Sequence, residues 1–125
     1  NGSGKSTIIK LLNHLYSPWK GKILIDNEDI NNFSKKELAS KISLVPQNTI
    51  VDFDFTVEEI VMMGRTPHIK GFAGESSEDR EIVQQALETV RVSHLKDRSI
   101  KSLSGGELQR VVIARALAQK TRIIL

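Results

Sequence analysis

The chain begins with a glycine-rich run, Asn1–Thr7 (NGSGKST), directly ahead of apolar residues at helical spacing. Residues 5–15 are therefore predicted to form a helix with one buried face, made of Ile8, Leu11, Leu12 and Leu15. Glycine adopts backbone conformations that other residues avoid, so successive N–H groups can point at one anion. The amino-terminal end of the helix adds its partial positive charge at the same place. The run predicts a phosphate-binding loop.

The pattern G-x-x-x-x-G-K-[ST] assigns roles to three side chains of this loop. Lys5 is expected to reach the β- and γ-phosphates of a nucleotide, Ser6 to bind Mg²⁺, and Thr7 to add a phosphate contact. The first glycine of the pattern would lie two positions before Asn1. The alternative interpretation is a glycine-rich turn that only caps a helix.

Composition limits the class of protein. Hydrophobic residues make up 39% and charged residues 26%, which is typical of a soluble globular domain. The absence of cysteine excludes a disulfide framework and a thiolate metal site, and fits a reducing compartment such as the cytoplasm. The net charge of +3 comes from 18 basic and 15 acidic residues of mixed position, so no nucleic-acid partner is predicted.

Strands and helices alternate at both ends of the chain. Near the start, a strand is predicted at 22–26, a turn at 27–29, a short helix from Ser34 to Ser40 with Glu37 completing a capping box, and a buried strand at 42–45. Near the end, a helix at 107–119 precedes a buried strand at 122–125.

The middle of the chain is predicted to be helical. Thr56 and Glu59 form a second capping box, whose helix is expected to stop near Gly64, and a longer helix is predicted at 77–91. Residues 65–76 are predicted to be a loop. This order favours an α/β nucleotide-binding core at about 1–47 and 103–125, with an all-helical insertion at about 48–102.

A second candidate anion site lies far downstream. Ser104, Gly105 and Gly106 bring a hydroxyl and two glycine N–H groups to the start of a helix. The alternative is that Ser104 is only the N-cap of that helix. Capping does not explain the paired glycines, which weaken a helix start unless another group must approach the backbone closely.

These residues carry a family resemblance that covers essentially the whole chain. Residues 103–110 (LSGGELQR), followed by 112–117 (VIARAL), resemble the signature motif of ABC ATPases. Val45-Pro46-Gln47 resembles the Q-loop of that family. The implied fold is a P-loop NTPase core of the ABC ATPase type, incomplete within these residues, with a helical insertion.

The resemblance implies that two ATPase domains pair head to tail, each holding ATP between its phosphate loop and the signature motif of the other. Gln47 would then touch Mg²⁺ or the attacking water, whereas a solvated loop residue is the alternative. The implied metal ligands are Ser6 and Gln47. The implied nucleotide-binding residues are Asn1, Gly2, Ser3, Gly4, Lys5, Ser6, Thr7, Gln47, Ser104, Gly105, Gly106 and Glu107.

The family's Walker B carboxylates and switch histidine have no counterpart in these residues, since Ile123-Ile124-Leu125 resembles only the first apolar half of Walker B. We therefore expect the 125 residues alone not to hydrolyse ATP, and a protein that also carries those groups to do so.

Residues 56–68 (TVEEIVMMGRTPH) resemble the corresponding segment of importers of iron-siderophore, haem and vitamin B12. The resemblance implies transmembrane permease partners contacted by the helical insertion, and a peripheral position at the cytoplasmic face of a bacterial membrane. The alternatives are another ABC importer or exporter, a soluble ABC protein acting on DNA or ribosomes, and a simple P-loop kinase, which would not need residues 103–110.

Overall fold

A computed structural model of the chain describes residues 2–12, 15–46 and 54–125. Its larger hydrophobic core lies among three helices: α3 (Val57–Met62), α4 (Ser77–Thr89) and α5 (Gly105–Ala118). Apolar residues at helical spacing face one another here, and Val57, Val83 and Val111 are fully buried. Helix α5 packs against both of the others.

The smaller hydrophobic core packs against the first helix of the chain. Helix α1 (Lys5–Leu12) contributes Leu12 to a cluster formed by Ile25, Ile30, Leu38 and Ile42. These residues come from strand β1 (Leu24–Ile25), a 3-10 helix (Ile30–Asn32), helix α2 (Lys35–Lys41) and strand β3 (Ile42–Ser43). The carboxyl end of α1 is therefore packed, while its amino end and the glycine-rich run remain exposed.

Strand β1 pairs with strand β2 (Glu28–Asp29) as an antiparallel hairpin in which Ile25 faces Glu28. The turn is formed by Asp26 and Asn27, at φ of 52° and 66°. The prediction of a turn at 27–29 was therefore wrong at Glu28 and Asp29. Asp and Asn tolerate the left-handed conformation, and two such residues in succession make a two-residue hairpin loop.

Strand β3 pairs in parallel with strand β4 (Ile123–Ile124), with Ile42 opposite Ile123. The strand predicted at 122–125 is confirmed, but its predicted burial was wrong, because Ile123 is 37% exposed and Ile124 is 47% exposed. In residues 2–12, 15–46 and 54–125, β3 is the only strand that pairs with β4. Because β3 is the one described strand beside β4, the side chains of Ile123 and Ile124 are left partly exposed.

The remaining sequence predictions fare unevenly. The capping boxes of Ser34 with Glu37 and of Thr56 with Glu59 are confirmed. The predicted loop at 65–76 is wrong in its first part, because a 3-10 helix (Met63–His68) continues directly from α3. Helix α5 shares the core of α3 and α4, and the proposed domain boundaries at 47/48 and 102/103 stay a prediction.

Two stretches of the chain build the same helix entrance. A 3-10 turn capped by Asp29 leads to Ser34, and a 3-10 turn (Ile100–Ser102) capped by Ser99 leads to Ser104. Ser34 and Ser104 share φ of −65° and ψ of 159°, and each forms a complete capping box with the glutamate three residues later. The two entrances differ after the serine, where Lys35 and Lys36 correspond to Gly105 and Gly106.

One ion pair is buried. Arg65 Nε donates to Asp79 Oδ1 at 2.8 Å, and the two side chains are 8% and 10% exposed. The Asp79 carboxylate also accepts from the N–H and hydroxyl of Ser76, which completes the capping box of α4. The Arg65 hydrogen bond, followed by those from Ser76, lowers the pKa of Asp79 from 3.8 to about 2. Charged hydrogen-bond donors favour the ionised carboxylate.

Replacing Asp79 should change how stability depends on pH. Because the pKa of Asp79 is lowered in the folded state, its contribution is present above 3.8 and is lost as the pH falls toward about 2. We expect Asp79→Asn to lower the free energy of unfolding at neutral pH, with the difference from wild type shrinking between about pH 4 and pH 2. Urea unfolding at several pH values measures this. The exposed Glu78→Gln is the control, and a constant difference across that range would contradict the assignment.

The two matching helix entrances should be equally important for stability. Ser34→Ala and Ser104→Ala each remove an N-cap side chain, and each should lower the free energy of unfolding by about 1 kcal/mol. Urea unfolding of both variants tests this expectation. Clearly unequal losses would show that the shared backbone conformation does not reflect a shared energetic role.

Candidate functional site

The glycine-rich run forms an open hollow at the start of α1. Residues 2–7 line a cavity of about 300 Å³, and all of them are exposed. Gly2 and Gly4 have φ of +94° and +81°, a conformation that side chains other than glycine disfavour. A Cβ atom at either position would meet nothing within 4 Å, so backbone conformation, not crowding, requires glycine here.

The backbone of this hollow presents N–H groups. The first hydrogen bond of α1 runs from Ile8 N to Gly4 O at 3.0 Å, so the N–H groups of Lys5, Ser6 and Thr7 precede it. Helix-start N–H groups without an internal partner, together with the helix dipole, favour an anion. The structure therefore brings Gly2–Thr7 together as predicted, while Asn1 lies outside the described residues.

The side chains at the hollow have the chemistry expected for Mg²⁺ and a phosphate chain. In the ranges that the structure describes, Lys5 forms no ion pair, so its ammonium group is available to an anion. The exposed Ser6 hydroxyl is an oxygen ligand of the kind that Mg²⁺ uses together with phosphates and waters. The other predicted metal ligand, Gln47, lies outside the described residues. Residues 2–12, 15–46 and 54–125 contain no cluster of His, Cys, Asp and Glu that could hold a metal by itself.

Helix α5 begins at Gly105, two residues earlier than the predicted start at Glu107, and Ser104 is its N-cap. Both glycines are exposed, and a Cβ atom at either would meet nothing within 4 Å. No close approach by another described residue therefore requires them. They leave bare backbone facing open space, where another molecule can come close.

Glu107 is occupied within its own helix entrance. Its Oε2 accepts from Ser104 N and from Ser104 Oγ, both at 2.8 Å. These hydrogen bonds lower the pKa of Glu107 and keep the carboxylate ionised. An ionised carboxylate repels phosphate, so Glu107 stabilises the backbone of this site, and a direct contact with nucleotide stays a prediction.

The two predicted anion sites do not form one cavity in a single chain. Of the described residues, only Gly2–Thr7 line the hollow at α1, and Ser104–Glu107 contribute nothing to it. Each exposes backbone and hydroxyl groups on one side, and we call each a candidate half-site: the hollow of Gly2–Thr7, and the signature half-site of Ser104, Gly105 and Gly106. Together they could surround a ligand only if a second chain supplied the missing half.

A groove lies between α2 and the 3-10 helix Met63–His68. It consists of two hollows, of about 420 Å³ and about 630 Å³, which share Lys35 and Ala39. The first also contacts Met63, and the second contacts Pro67 and Ile69. We call it the α2 groove. Its lining mixes apolar side chains with the cations of Lys35 and Lys36.

Sequence reasoning missed the polar junction beside this groove. Arg65 Nη1 donates to Ala118 O at 2.7 Å, and the ring of His68 bonds Gln119 O through Nε2 at 2.7 Å. The Gln119 side chain in turn donates to Ile42 O at 3.0 Å and to Ala39 O. Residues 56–68 resemble importers in sequence, but nothing in the local sequence indicates that Arg65 is buried.

Comparison with known proteins covers the whole chain. The family model described as "ABC transporter" matches residues 1–125. The chain is 42% identical over 125 residues to the ferric enterobactin transport ATP-binding protein FepC of Escherichia coli, covering 46% of that protein. It is 40% identical to the cobalamin import ATP-binding protein BtuD of Halobacterium salinarum, covering 31%. It is 42% identical over 119 residues, 95% of this chain, to the hemin import ATP-binding protein HmuV of Gloeobacter violaceus, covering 42%.

Solved structures show the same fold. A candidate metal-chelate type ABC transporter in an inward-facing conformation matches 99% of this chain with a TM-score of 0.81 at 38% identity, over 45% of its own chain. A bacterial Atm1-family ABC exporter with ATP bound matches 99% with a TM-score of 0.79 at 32% identity, over 22% of its own. The chain thus spans less than half the length of these relatives. From the glycine-rich run to the last strand, it belongs to the ABC transporter family, with the P-loop NTPase fold of that family's ATPase domain.

Proposed function

We propose that this chain is the nucleotide-binding part of an ABC importer ATPase, which binds and hydrolyses ATP to drive uptake of an iron-siderophore, haem or cobalamin. The observation that carries the nucleotide site is the hollow of Gly2–Thr7 with its free Lys5 and helix-start N–H groups. The named importers that this chain resembles support the substrate class. An exporter shares the fold, so the direction of transport rests on those relatives and not on architecture.

In this proposal the residues of the hollow hold the phosphates. The N–H groups of Lys5, Ser6 and Thr7 and the Lys5 ammonium neutralise phosphate charge, which is the main demand of phosphoryl transfer. Ser6 is assigned to Mg²⁺, with Gln47 as the second proposed ligand. The metal supplies charge neutralisation between the phosphates when it is bound. Gln47 is proposed to assist by contacting Mg²⁺ or the attacking water, and no residue of this chain is assigned as the catalytic carboxylate.

The signature half-site is proposed to complete the nucleotide site of a second copy. Ser104 places its hydroxyl beside the backbone of Gly105 and Gly106, next to space that no described residue occupies. That hydroxyl donates to Glu107 Oε2, so it would turn away from Glu107 to donate to a phosphate. A phosphate held by the hollow of another copy fits this chemistry, since helix-start N–H groups and a hydroxyl all donate to anions. Head-to-tail pairing of two copies would form two complete sites, each made of the hollow of one copy and the signature half-site of the other.

The α2 groove is the proposed docking place for a transmembrane permease subunit. No helix within the described residues is long and apolar enough to cross a membrane. The groove combines apolar lining with Lys35 and Lys36, and the fully exposed Phe72 follows the segment that lines it. Such a surface suits a short amphipathic helix of the permease, presented at the cytoplasmic face of the membrane.

The pair of matching helix entrances separates a nucleotide role from a structural one. We expect Ser104→Ala to lower the rate of ATP hydrolysis by the natural protein by at least about tenfold, since it removes a donor from the transition state. Ser34→Ala removes the same kind of cap and should leave the rate within about twofold. Steady-state hydrolysis is measured for both, with Lys5→Ala as the inactive reference. Equal rates for the two serine variants would refute the role of Ser104.

Filling the α2 groove should weaken permease binding. Ala39→Arg introduces a large cation into the groove, whereas Ser40→Arg adds the same side chain to the next residue of α2, which does not line it. We expect Ala39→Arg to reduce co-purification with the permease and uptake of the substrate several-fold relative to Ser40→Arg. If both variants bind the permease equally well, the docking surface lies elsewhere.

A further inference from the structure

The 3-10 helix Met63–His68 contacts the carboxyl end of α5 at three places. Gly64 lies so close that a Cβ atom there would overlap the Arg115 carbonyl oxygen. Arg65 donates to the Ala118 carbonyl at 2.7 Å, and His68 bonds the Gln119 carbonyl at 2.7 Å. This end of α5 is therefore held by a segment more than forty residues away in sequence.

Arg65 makes the central one of these three contacts. The residue is 6% exposed and divides its guanidinium between two partners, the Asp79 carboxylate on α4 and the Ala118 carbonyl on α5. Carbonyl groups at the end of a helix lack internal partners and carry partial negative charge, so a buried cation there is well placed. Only a planar fork with several donors can serve two acceptors in fixed directions, and a lysine cannot reproduce it.

The other side of the same 3-10 helix faces the α2 groove. Met63 and Gly64 line its first hollow, and Thr66 and Pro67 line its second. Gln119, directly after α5, donates to Ile42 O and Ala39 O and so ties the same end of α5 to α2 and β3. The carboxyl end of α5 is thus fixed from both walls of the groove, while its amino end carries Ser104.

We propose that Arg65 is a positioning residue for the signature serine. By holding the carboxyl end of α5, it sets the direction in which the helix presents Ser104, Gly105 and Gly106 to the nucleotide of a second copy. The inference rests on the proposed ATPase function. It adds a residue that touches neither nucleotide nor metal and lies next to the proposed permease groove.

The dimensions of α5 show why a small change matters. A helix of 14 residues is about 21 Å long, so a tilt of about 3° at one end moves the other by about 1 Å. A displacement of about 1 Å at a reacting group can lower a rate by about a hundredfold. In this proposal, loss of the Arg65 contact at Ala118 permits a tilt of this size, while apolar packing against α3 and α4 keeps the helix folded.

A purely structural role for Arg65 makes a different prediction. If the ion pair only stabilises the fold, removing either partner should cost stability and activity together. If the contact with Ala118 directs α5, then Asp79→Asn should be harmless to turnover, because Arg65 keeps its bond to α5. Variants of Arg65 and of Asp79, the two partners of one ion pair, therefore distinguish a positioning role from a purely structural one.

The test compares Arg65→Lys with Asp79→Asn in the natural protein. We expect Arg65→Lys to lower kcat about ten- to a hundredfold, with ATP affinity of the phosphate loop unchanged because Lys5 is untouched. Asp79→Asn should lose as much thermal stability or more but keep kcat within about twofold. ATP affinity is measured by nucleotide titration, kcat by steady-state hydrolysis below the unfolding temperature of each variant.

Each result decides the question. A similar kcat for Arg65→Lys and wild type overturns the proposal, as does an equal loss in Asp79→Asn, which would mean that activity follows stability. If Arg65→Lys does not fold, Gly64→Ala, which pushes the 3-10 helix away from α5, takes its place under the same criteria. Wild-type protein that neither binds nor hydrolyses ATP refutes the proposed function itself, and the positioning role falls with it.

Discussion

The packing of helix α5 is the constraint on which the rest of this structure depends. Val111, Val112 and Ala114 are fully buried, and the helix forms the larger core with α3 and α4. Its small buried residues, Ala114, Ala116 and Ala118, allow neighbouring backbone to come close, most of all at Gly64. The same helix carries the candidate anion site of Ser104 at its start and leads into strand β4 at its end.

The parts of the fold that depend on neighbouring residues could be predicted from the sequence. The capping boxes at Ser34 and Thr56 need only a hydroxyl and a carboxylate three residues apart, and both form as expected. The conformation of the glycine-rich run is similarly local, since Gly2 and Gly4 take the positive φ that only glycine adopts easily.

The features that depend on distant partners could not be predicted. Ile123 and Ile124 follow an apolar pattern typical of a buried strand, yet their exposure is set by which strands lie beside them. The 3-10 helix Met63–His68 contains Pro67, which indicated a loop, but Gly64, Arg65 and His68 are held by carbonyl groups of α5. A buried Arg65 becomes visible only when Asp79 and Ala118 are placed around it.

Only part of the candidate site can be recognised from its local conformation. The conformation around Ser104 is repeated at Ser34, so the fold alone does not mark it as functional. The difference lies in Gly105 and Gly106, which correspond to lysines in the other entrance and face open space. These glycines and the hollow of Gly2–Thr7, which no other described residue lines, are the two halves of the nucleotide site that we propose for a pair of chains.

Mixing two impaired variants of the natural protein tests this account most directly. In a head-to-tail pair of one Lys5→Ala chain and one Ser104→Ala chain, one nucleotide site retains both Lys5 and Ser104, and the other retains neither. We expect the mixture to hydrolyse ATP faster than either variant alone, because only a mixed pair contains a site with both residues. A rate for the mixture no greater than that of the separate variants would contradict the claim that the two half-sites meet across two copies.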